Sequence, residues 1–565
     1  MRKLPVGYSD FQQVIEGGFY YVDKSLLIRE ILDHPAQVLL LPRPRRFGKT
    51  LNLSMLRYFF EKTGEDRSHL FQGLQIWQQG EEYIRHLGRY PVIFLTFKDI
   101  KERDWSSTLN KLRRVIQEEY SRHKRMGVSF PSGSEEAVFY ERILSLQGEQ
   151  PEFEDALKNL SAFLNRHYQQ KVILLIDEYD TPIQSGYVNG YYEEVISFMR
   201  NLLSGGLKDN PYLEKGVITG ILRVAKESIF SGLNNLAVFT LIRPEFSDKF
   251  GFTEEEVTRI GDELGLRDRL AEVERWYNGY IFGGRVIYNP WSLVNYFNSM
   301  DRLCYPYWVN TSDNAVVEQL LTRGGRELRE ELESLIRGES IEKPVEENIV
   351  FPDLERREEL LWSFLLFGGY LKYTHCYTEE TAEQLRCRLA IPNREVRKIF
   401  IDFIDRWFEQ RIAPQKLEHL LTALLTGDVE TFEELLADFV ENSLSVWDTG
   451  GGEAEKVYQA FIVGLLLWLS DRYEVKSNRE SGYGRYDVML IPRDPAQVGI
   501  IMEFKRVNRR RQETPEQALE KAFEQIEARD YAAELRQRGI EHIRTLAVAF
   551  DGKQVWVRKR EVPDK

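Results

Sequence analysis

The apolar positions of the first 250 residues fall into short continuous runs rather than alternating ones. Val38-Leu39-Leu40-Leu41, the stretch 90–97, Val172-Ile173-Leu174-Leu175-Ile176, 215–221 and 237–241 are runs of this kind. Strands buried on both faces have this pattern. The intervening segments read as helices: 25–32 behind an Asp23 or Ser25 cap, 51–59, and most of 103–170 with amphipathic runs such as 105–120, while 124–134 reads as a loop. Strands separated by helices imply a parallel sheet joined by right-handed crossovers.

The pattern then changes. Residues 254–330 mix helical stretches with Gly-, Asn- and Pro-rich turns around Trp276-Tyr277-Asn278-Gly279-Tyr280 and Tyr288-Asn289-Pro290-Trp291, and read as a small helical lid. Residues 331–446 are charge-rich and mainly helical, with 369–373 and 385–391 placed for a small hairpin, which suits a winged-helix-like connector. Thr449-Gly450-Gly451-Gly452 is the clearest linker. Beyond it, a helix over 455–469 precedes strands at 473–475, 486–491 and 498–505. The expected domains are therefore 1–253, 254–330, 331–446 and 447–565.

Composition narrows this little. A chain of 565 residues suits three or four domains, and 42% hydrophobic with 29% charged residues is ordinary for a globular protein. A net charge of −13 argues against general coating of nucleic acid but allows a local basic groove. Cys304, Cys376 and Cys387 show no metal-ligand spacing and no plausible disulfide set, so a reducing cytoplasm is expected. The N-terminus lacks an apolar signal core, and the greasy run 460–469 is too short to span a bilayer, so no membrane association is expected.

The candidate chemistry begins at the tip of the first strand. Leu40-Leu41-Pro42-Arg43-Pro44-Arg45-Arg46-Phe47-Gly48-Lys49-Thr50-Leu51 joins a buried strand to a helix N-terminus, where backbone N–H groups and the helix dipole face an anion. Gly48-Lys49-Thr50 reads as the end of a P-loop. Gly48 lets the backbone approach phosphates, Lys49 reaches the β- and γ-phosphates, and the Thr50 hydroxyl binds Mg²⁺. The first glycine of the full motif is replaced by Arg43, which weakens the backbone nest and leaves open whether Arg43-Pro44-Arg45-Arg46 replaces it by charge contacts to phosphate. At the tip of 172–176, Asp177 stands where a carboxylate would hold Mg²⁺ through water, and Glu178 where one would polarise the attacking water. Thr219 sits at a sensor position, and Arg223 follows where a guanidinium would stabilise transition-state charge. Tyr21 and Asp23, just ahead of the first strand, are candidate nucleotide contacts.

A second constellation lies near the C-terminus. Glu503 and Lys505 share one face of a strand by the two-residue period, and Asp487 opens the preceding strand, where hairpin-like pairing brings it beside Glu503. Two carboxylates and a lysine suit metal-dependent phosphodiester hydrolysis. Asp487 and Glu503 hold one or two Mg²⁺, and Lys505 orients water or offsets developing charge. Arg506, Arg509, Arg510 and Arg511 follow as a basic run that would offset phosphate repulsion. Gln525 and Tyr531, on a following helix, are candidates for approaching the substrate backbone.

The segments Tyr21-Val22-Asp23-Lys24-Ser25, Arg43 to Thr50, Asp177-Glu178-Tyr179-Asp180, Thr219 to Arg223 and Ser228 to Asn235 resemble a bacterial and archaeal family of AAA-like ATPases, many of which carry a C-terminal PD-(D/E)XK nuclease domain. Gly482 to Asp487 and Glu503-Phe504-Lys505 are similar to that nuclease segment, with Tyr486 where a Pro is usual. The resemblance implies an α/β multidomain chain: a RecA/AAA-like P-loop core with a helical lid, a winged-helix-like connector and a restriction-endonuclease-like domain. It adds Glu455 as a helix-borne acid of the nuclease site. It implies ATP with Mg²⁺ or Mn²⁺, nucleic acid, expected to be DNA, as substrate, assembly as a homo-oligomer, and a part in defence against foreign DNA. Two alternatives stay open: a regulator that binds ATP without turning it over, and a DNA-binding ATPase whose C-terminal site is inert.

Overall fold

A computed structural model describes residues 3–223, 234–308, 316–317, 320–321, 326–379, 384–409, 414–443, 462, 465–481, 484–507, 513–552 and 554–562. The chain folds into two compact units. One comprises residues 1–320 and 340–397, the other 321–339 and 398–565. This division cuts across the stretch 331–446 that the sequence suggests as one connector.

The first unit is built on five parallel strands: β1 (Val38–Pro42), β2 (Val92–Thr96), β3 (Val172–Asp177), β4 (Leu213–Gly220) and β5 (Leu236–Val238). Their order is β2-β3-β4-β1-β5. All residues of β1 and β3 are buried, as their unbroken apolar runs require. The order decides the site. β4 lies between the strand that feeds the phosphate loop and the strand that ends in Asp177, with Leu41 opposite Thr219 and Thr96 opposite Asp177.

The stretch expected as a helical lid is only partly helical. Helices Glu254–Glu263, Leu270–Tyr277 and Pro290–Asn298 accompany a three-stranded antiparallel sheet of β6 (Phe252–Thr253), β7 (Tyr280–Phe282) and β8 (Arg285–Tyr288). Gly283 (φ 53°) and Gly284 (φ 82°) make the β7–β8 turn, the paired left-handed residues that a two-residue hairpin prefers. Val257, Ile260, Val273, Tyr277, Leu293 and Tyr296 form the core of this region.

Residues 340–397 add a second antiparallel sheet, β10 (Lys372–Glu379), β11 (Gln384–Ala390) and β9 (Ile341–Pro344) in that spatial order, and the helix Glu358–Gly368. Cys376 and Cys387 face each other across β10 and β11 and are joined by a disulfide. The expectation of no disulfide is thereby corrected. Spacing along the chain does not reveal a pair that only strand register brings opposite.

The second unit holds a mixed sheet in the order β12 (Tyr473–Ser481), β13 (Gly484–Pro492), β14 (Gly499–Arg506), β15 (Ile543–Asp551) and β16 (Gln554–Glu561). Only β14 and β15 run parallel, so they need a crossover, and the helix Pro515–Ala528 lies within that connection. Strand alternation divides the core. Ile500, Met502 and Phe504 pack with Leu420 and Leu436, whereas Ile501, Ala547 and Ala549 pack with Ala522 and Phe523 of the crossover helix. Glu503 and Lys505 extend the second face. Among the described residues no helix is long and apolar enough to cross a membrane.

Candidate active sites

The phosphate loop follows from the end of β1. Arg46 (φ 69°) and Gly48 (φ 83°) are left-handed while their neighbours are not, the alternation that turns successive N–H groups into an anion nest. Gly48 caps the helix Lys49–Phe60 and adds its N-terminus to the nest. The Phe47 ring packs on Tyr280 and Phe282, with centroids 4.9 and 5.1 Å away, and this fastens the loop to the small antiparallel sheet. Lys49 is buried and donates to the carbonyls of Arg43 (3.0 Å) and Pro44 (2.9 Å). Burial pulls its ammonium below the usual lysine range, opposed by Glu178 and Asp177.

Arg43 does not face the phosphates. Its guanidinium is fully buried and donates to the carbonyls of Pro42 (2.8 Å), Phe239 (2.6 Å) and Phe246 (3.2 Å), over the rings of Phe250 and Phe282. Burial lowers its pKa to about 9. The nest weakened by a charged replacement, as the sequence suggested, is not what is built. The side chain turns into the core and leaves the loop to backbone groups.

Three hydroxyls converge on Asp177, which is fully buried. Thr50 donates to Oδ2 at 2.7 Å, Thr219 to Oδ1 at 2.7 Å, and Thr96 to Oδ2 at 3.3 Å. Desolvation raises the Asp177 pKa, Glu178 adds to the rise, and the Thr50 and Thr219 hydroxyls oppose it. Glu178 is left-handed (φ 50°), receives Thr181 Oγ1 at 3.4 Å, and lines the cleft beside the loop.

That cleft has a volume of about 450 Å³ and is lined by Tyr21, Arg45, Arg46, Gly48, Lys49, Thr50 and Glu178 among others. Arg45 is held by Gln184 at 3.0 Å, and Arg46 lies 4.3 Å over the ring of Trp291. Tyr21 donates to Met55 Sδ at 3.3 Å, and burial raises its pKa. Asp23 and Arg223 are not part of the lining. The Asp23 carboxylate is engaged by the N–H groups of Ser25 (2.8 Å) and Gln75 (2.7 Å), so it staples the chain.

Sequence reasoning missed Thr96 and Asp180. Thr96 has the same signature as Thr219, a hydroxyl at the tip of an apolar run. Asp180 is fully buried and accepts from the N–H groups of Ile221 (2.8 Å) and Leu222 (3.0 Å), which ties the segment after β3 to the end of β4. A Cβ at Gly220 would lie 2.7 Å from Asp180 Oδ1, so glycine is needed there for that approach.

The C-terminal site forms where β13 and β14 part. Their pairing runs from Leu490↔Ile500 to Val488↔Met502, and the Asp487 carboxylate then accepts the N–H of Phe504 at 2.8 Å. Glu503 is fully buried. One carboxylate oxygen accepts Lys505 Nζ at 2.9 Å, and the other has no hydrogen-bond partner. Lys505 also donates to the Phe504 carbonyl at 3.1 Å. Burial raises both carboxyls, and Asp487 pushes Glu503 up further while Lys505 opposes it. The donor set fits a divalent cation: two converging hard carboxylates, one with a buried oxygen left over. The hydroxyl–carboxylate pair of Thr50 and Asp177 fits one in the same way. Among the described residues no group of three or more His, Cys, Asp or Glu side chains suits a metal.

Gln525 donates to the Tyr531 hydroxyl at 3.1 Å, as does Arg529 at 3.3 Å, a residue the sequence did not single out. Arg506 ends β14 opposite Phe550, and alternation puts it on the face away from Glu503 and Lys505. Glu455, Arg509 and Arg510 lie outside the described residues.

Comparison with known proteins agrees with this geometry. Residues 5–230 match the model of a predicted AAA-ATPase, and residues 453–560 match that of the PD-(D/E)XK nuclease superfamily. The chain is also 26% identical over 556 residues to a protein of Azotobacter chroococcum mcd 1 described as an uncharacterized protein in the vnfD 5′ region, covering 97% of this chain and 96% of that one. With its phosphate loop and Asp177 in the first matched segment and Asp487, Glu503 and Lys505 in the second, this chain carries an AAA-ATPase-like domain toward its N-terminus and a PD-(D/E)XK nuclease superfamily domain at its C-terminus.

Proposed function

We propose that the protein hydrolyses ATP at the first site and cleaves phosphodiester bonds of DNA at the second, with nucleotide state controlling cleavage. The carrying observation is that one chain holds two carboxylate sites: Asp177 at the end of β3 under three threonine hydroxyls, and Asp487 on β13 with Glu503 beside Lys505 on β14.

At the first site Lys49 and the loop amides bind the β- and γ-phosphates, Thr50 and Asp177 hold Mg²⁺, and Glu178 orients the attacking water. At the second, Asp487 and Glu503 hold Mg²⁺ or Mn²⁺, and Lys505 positions the water and offsets charge on the phosphate. A bound cation would supply Lewis acidity at both sites, offsetting phosphate charge at the first and acidifying the attacking water at the second. Arg509 and Arg510 contribute a salt-dependent hold on the nucleic-acid backbone, and Gln525 approaches it from the crossover helix, whereas Arg506, on the other face of β14, takes no part. The same reading has the protein act on foreign DNA as a homo-oligomer.

The test is cleavage of labelled single- and double-stranded DNA and RNA with Mg²⁺ or Mn²⁺, with and without ATP. Asp487→Ala is expected to abolish cleavage, and Lys49→Ala to abolish its response to ATP. Phosphate release without cleavage by wild type would leave the ATPase alone. Equal cleavage with and without ATP would remove the control.

A further inference from the structure

A buried carboxyl outside both sites ties parts of the first unit together. Glu395 is fully buried in the first turn of the helix Arg394–Glu409. It accepts the hydroxyl of Ser292, at 2.8 and 3.0 Å, and the backbone N–H of Trp308 at 2.7 Å. Ser292 belongs to the helix Pro290–Asn298, and its neighbour Trp291 carries the Arg46 guanidinium on its ring. The Trp308 indole, itself buried, donates to the backbone carbonyl of Arg45 at 3.2 Å. The phosphate loop is thus held at two consecutive residues by two tryptophans, and both connect to Glu395. The helix that Glu395 opens is also where the chain passes from the first unit, which ends at Arg397, into the second, which resumes at Lys398.

We propose that Glu395 is a positioning residue of the nucleotide site, joining the lid helix and the Trp308 indole so that nucleotide at the phosphate loop is felt at the helix leaving the first unit. The inference rests on the reading that this loop binds ATP. A nucleotide that shifts the Arg45 backbone pulls on Trp308, one that shifts the Arg46 guanidinium pulls on Trp291, and Trp308 and Ser292, the neighbour of Trp291, are joined by the one carboxyl of Glu395.

Hydrogen exchange of the full-length chain, with and without ATP and Mg²⁺, tests this. In wild type, ATP is expected to slow exchange both in the peptide carrying Gly48 to Asn52 and in the peptide carrying Arg394 to Arg397. Glu395→Ala is expected to keep the first response and lose the second, and Glu395→Gln, which keeps an acceptor of the same shape, to restore it. A response at 394–397 that survives in Glu395→Ala, or that is absent from wild type while the loop is protected, overturns the proposal. The Ser292→Ala variant serves where Glu395→Ala does not fold, and an undiminished response there overturns it as well. Absence of protection at the loop itself would instead overturn the nucleotide reading, and the positioning role with it.

Discussion

The Thr50 hydroxyl donates to Asp177 Oδ2 at 2.7 Å, across 127 positions of chain, and Thr219 occupies the other carboxylate oxygen at the same distance. Two hydroxyls on either side fix the carboxylate in one orientation, and they have different duties. Thr50 opens the helix at the phosphate loop, whereas Thr219 is buried in the strand between.

Thr50→Ala is expected to lower ATP hydrolysis by about 100-fold, the usual cost of removing one preorganised polar contact at a reacting charge, with little change in folding stability. Thr219→Val leaves a buried carboxylate oxygen without its donor and should destabilise by roughly 1–3 kcal/mol. Phosphate release and urea denaturation on both variants separate the two roles. Equal stability of Thr219→Val and wild type would show that Oδ1 does not depend on that hydroxyl.

Arg43 predicts a purely structural effect at a position inside the phosphate-binding segment. Arg43→Ala strips donors from the carbonyls of Pro42, Phe239 and Phe246 and leaves a void among aromatic rings, a loss of roughly 3 kcal/mol or more. Arg43→Lys should not rescue it, because one ammonium cannot span the three acceptors of a planar fork. Chemical denaturation measures the loss. Nucleotide affinity of the variant at low temperature, where it stays folded, is expected to remain within a few-fold of wild type.

How far the sequence could foresee these features depends on how local their causes are. Lys49, Thr50 and Asp177 were legible because Gly-Lys-Thr after one apolar strand and an acid at the tip of a later one are two halves of one pattern in the right order. Thr96 shows the same signature and was passed over because nothing in the chain says which strand neighbours β3. Arg43 was misread because its carbonyl partners at Phe239 and Phe246 lie 196 and 203 positions away, and a one-dimensional pattern does not show which way a side chain turns at a strand end. The β7–β8 hairpin is signalled in the sequence by Gly283-Gly284 alone, and a glycine turn joins helices as readily as strands. Asp487, Glu503 and Lys505 were legible from period and order alone. Register then supplied what sequence lacked: the Phe504 amide held by Asp487 and the unpartnered oxygen of Glu503.

That oxygen predicts opposed effects on stability and activity. Glu503→Gln removes a buried negative charge that burial and Asp487 both disfavour, so without metal at pH 8 it should raise stability by on the order of 1 kcal/mol. Cleavage should fall to background, since a ligand is lost. Mg²⁺ or Mn²⁺ should then raise the melting temperature of wild type more than that of the variant, which keeps the Thr50–Asp177 site but has lost a ligand of the second one. Calorimetry with EDTA and with Mn²⁺ checks both points. A variant stabilised by Mn²⁺ as much as wild type would remove Glu503 from the ligand set.

Glu395 gives the pH dependence. Burial raises its carboxyl from 4.5 to about 7, only partly offset by the Trp308 amide and the Ser292 hydroxyl. Below about pH 4.5 the group is protonated in both folded and unfolded chains and contributes no pH slope. Between about 4.5 and 7 the unfolded chain releases the proton while the folded one keeps it, so the unfolded state binds fewer protons and stability falls as pH rises. The slope reaches about 1.4 kcal/mol per pH unit, the loss totals on the order of 3 kcal/mol, and it levels off above pH 7. Glu395→Gln cannot titrate and should lack this component. The stability of wild type relative to Glu395→Gln, followed by denaturation at intervals from pH 4.5 to 8, is therefore expected to decline to a plateau near neutrality. A difference that stays constant over that range would mean that the folded protein holds Glu395 ionised throughout, and would require a compensating cation near it.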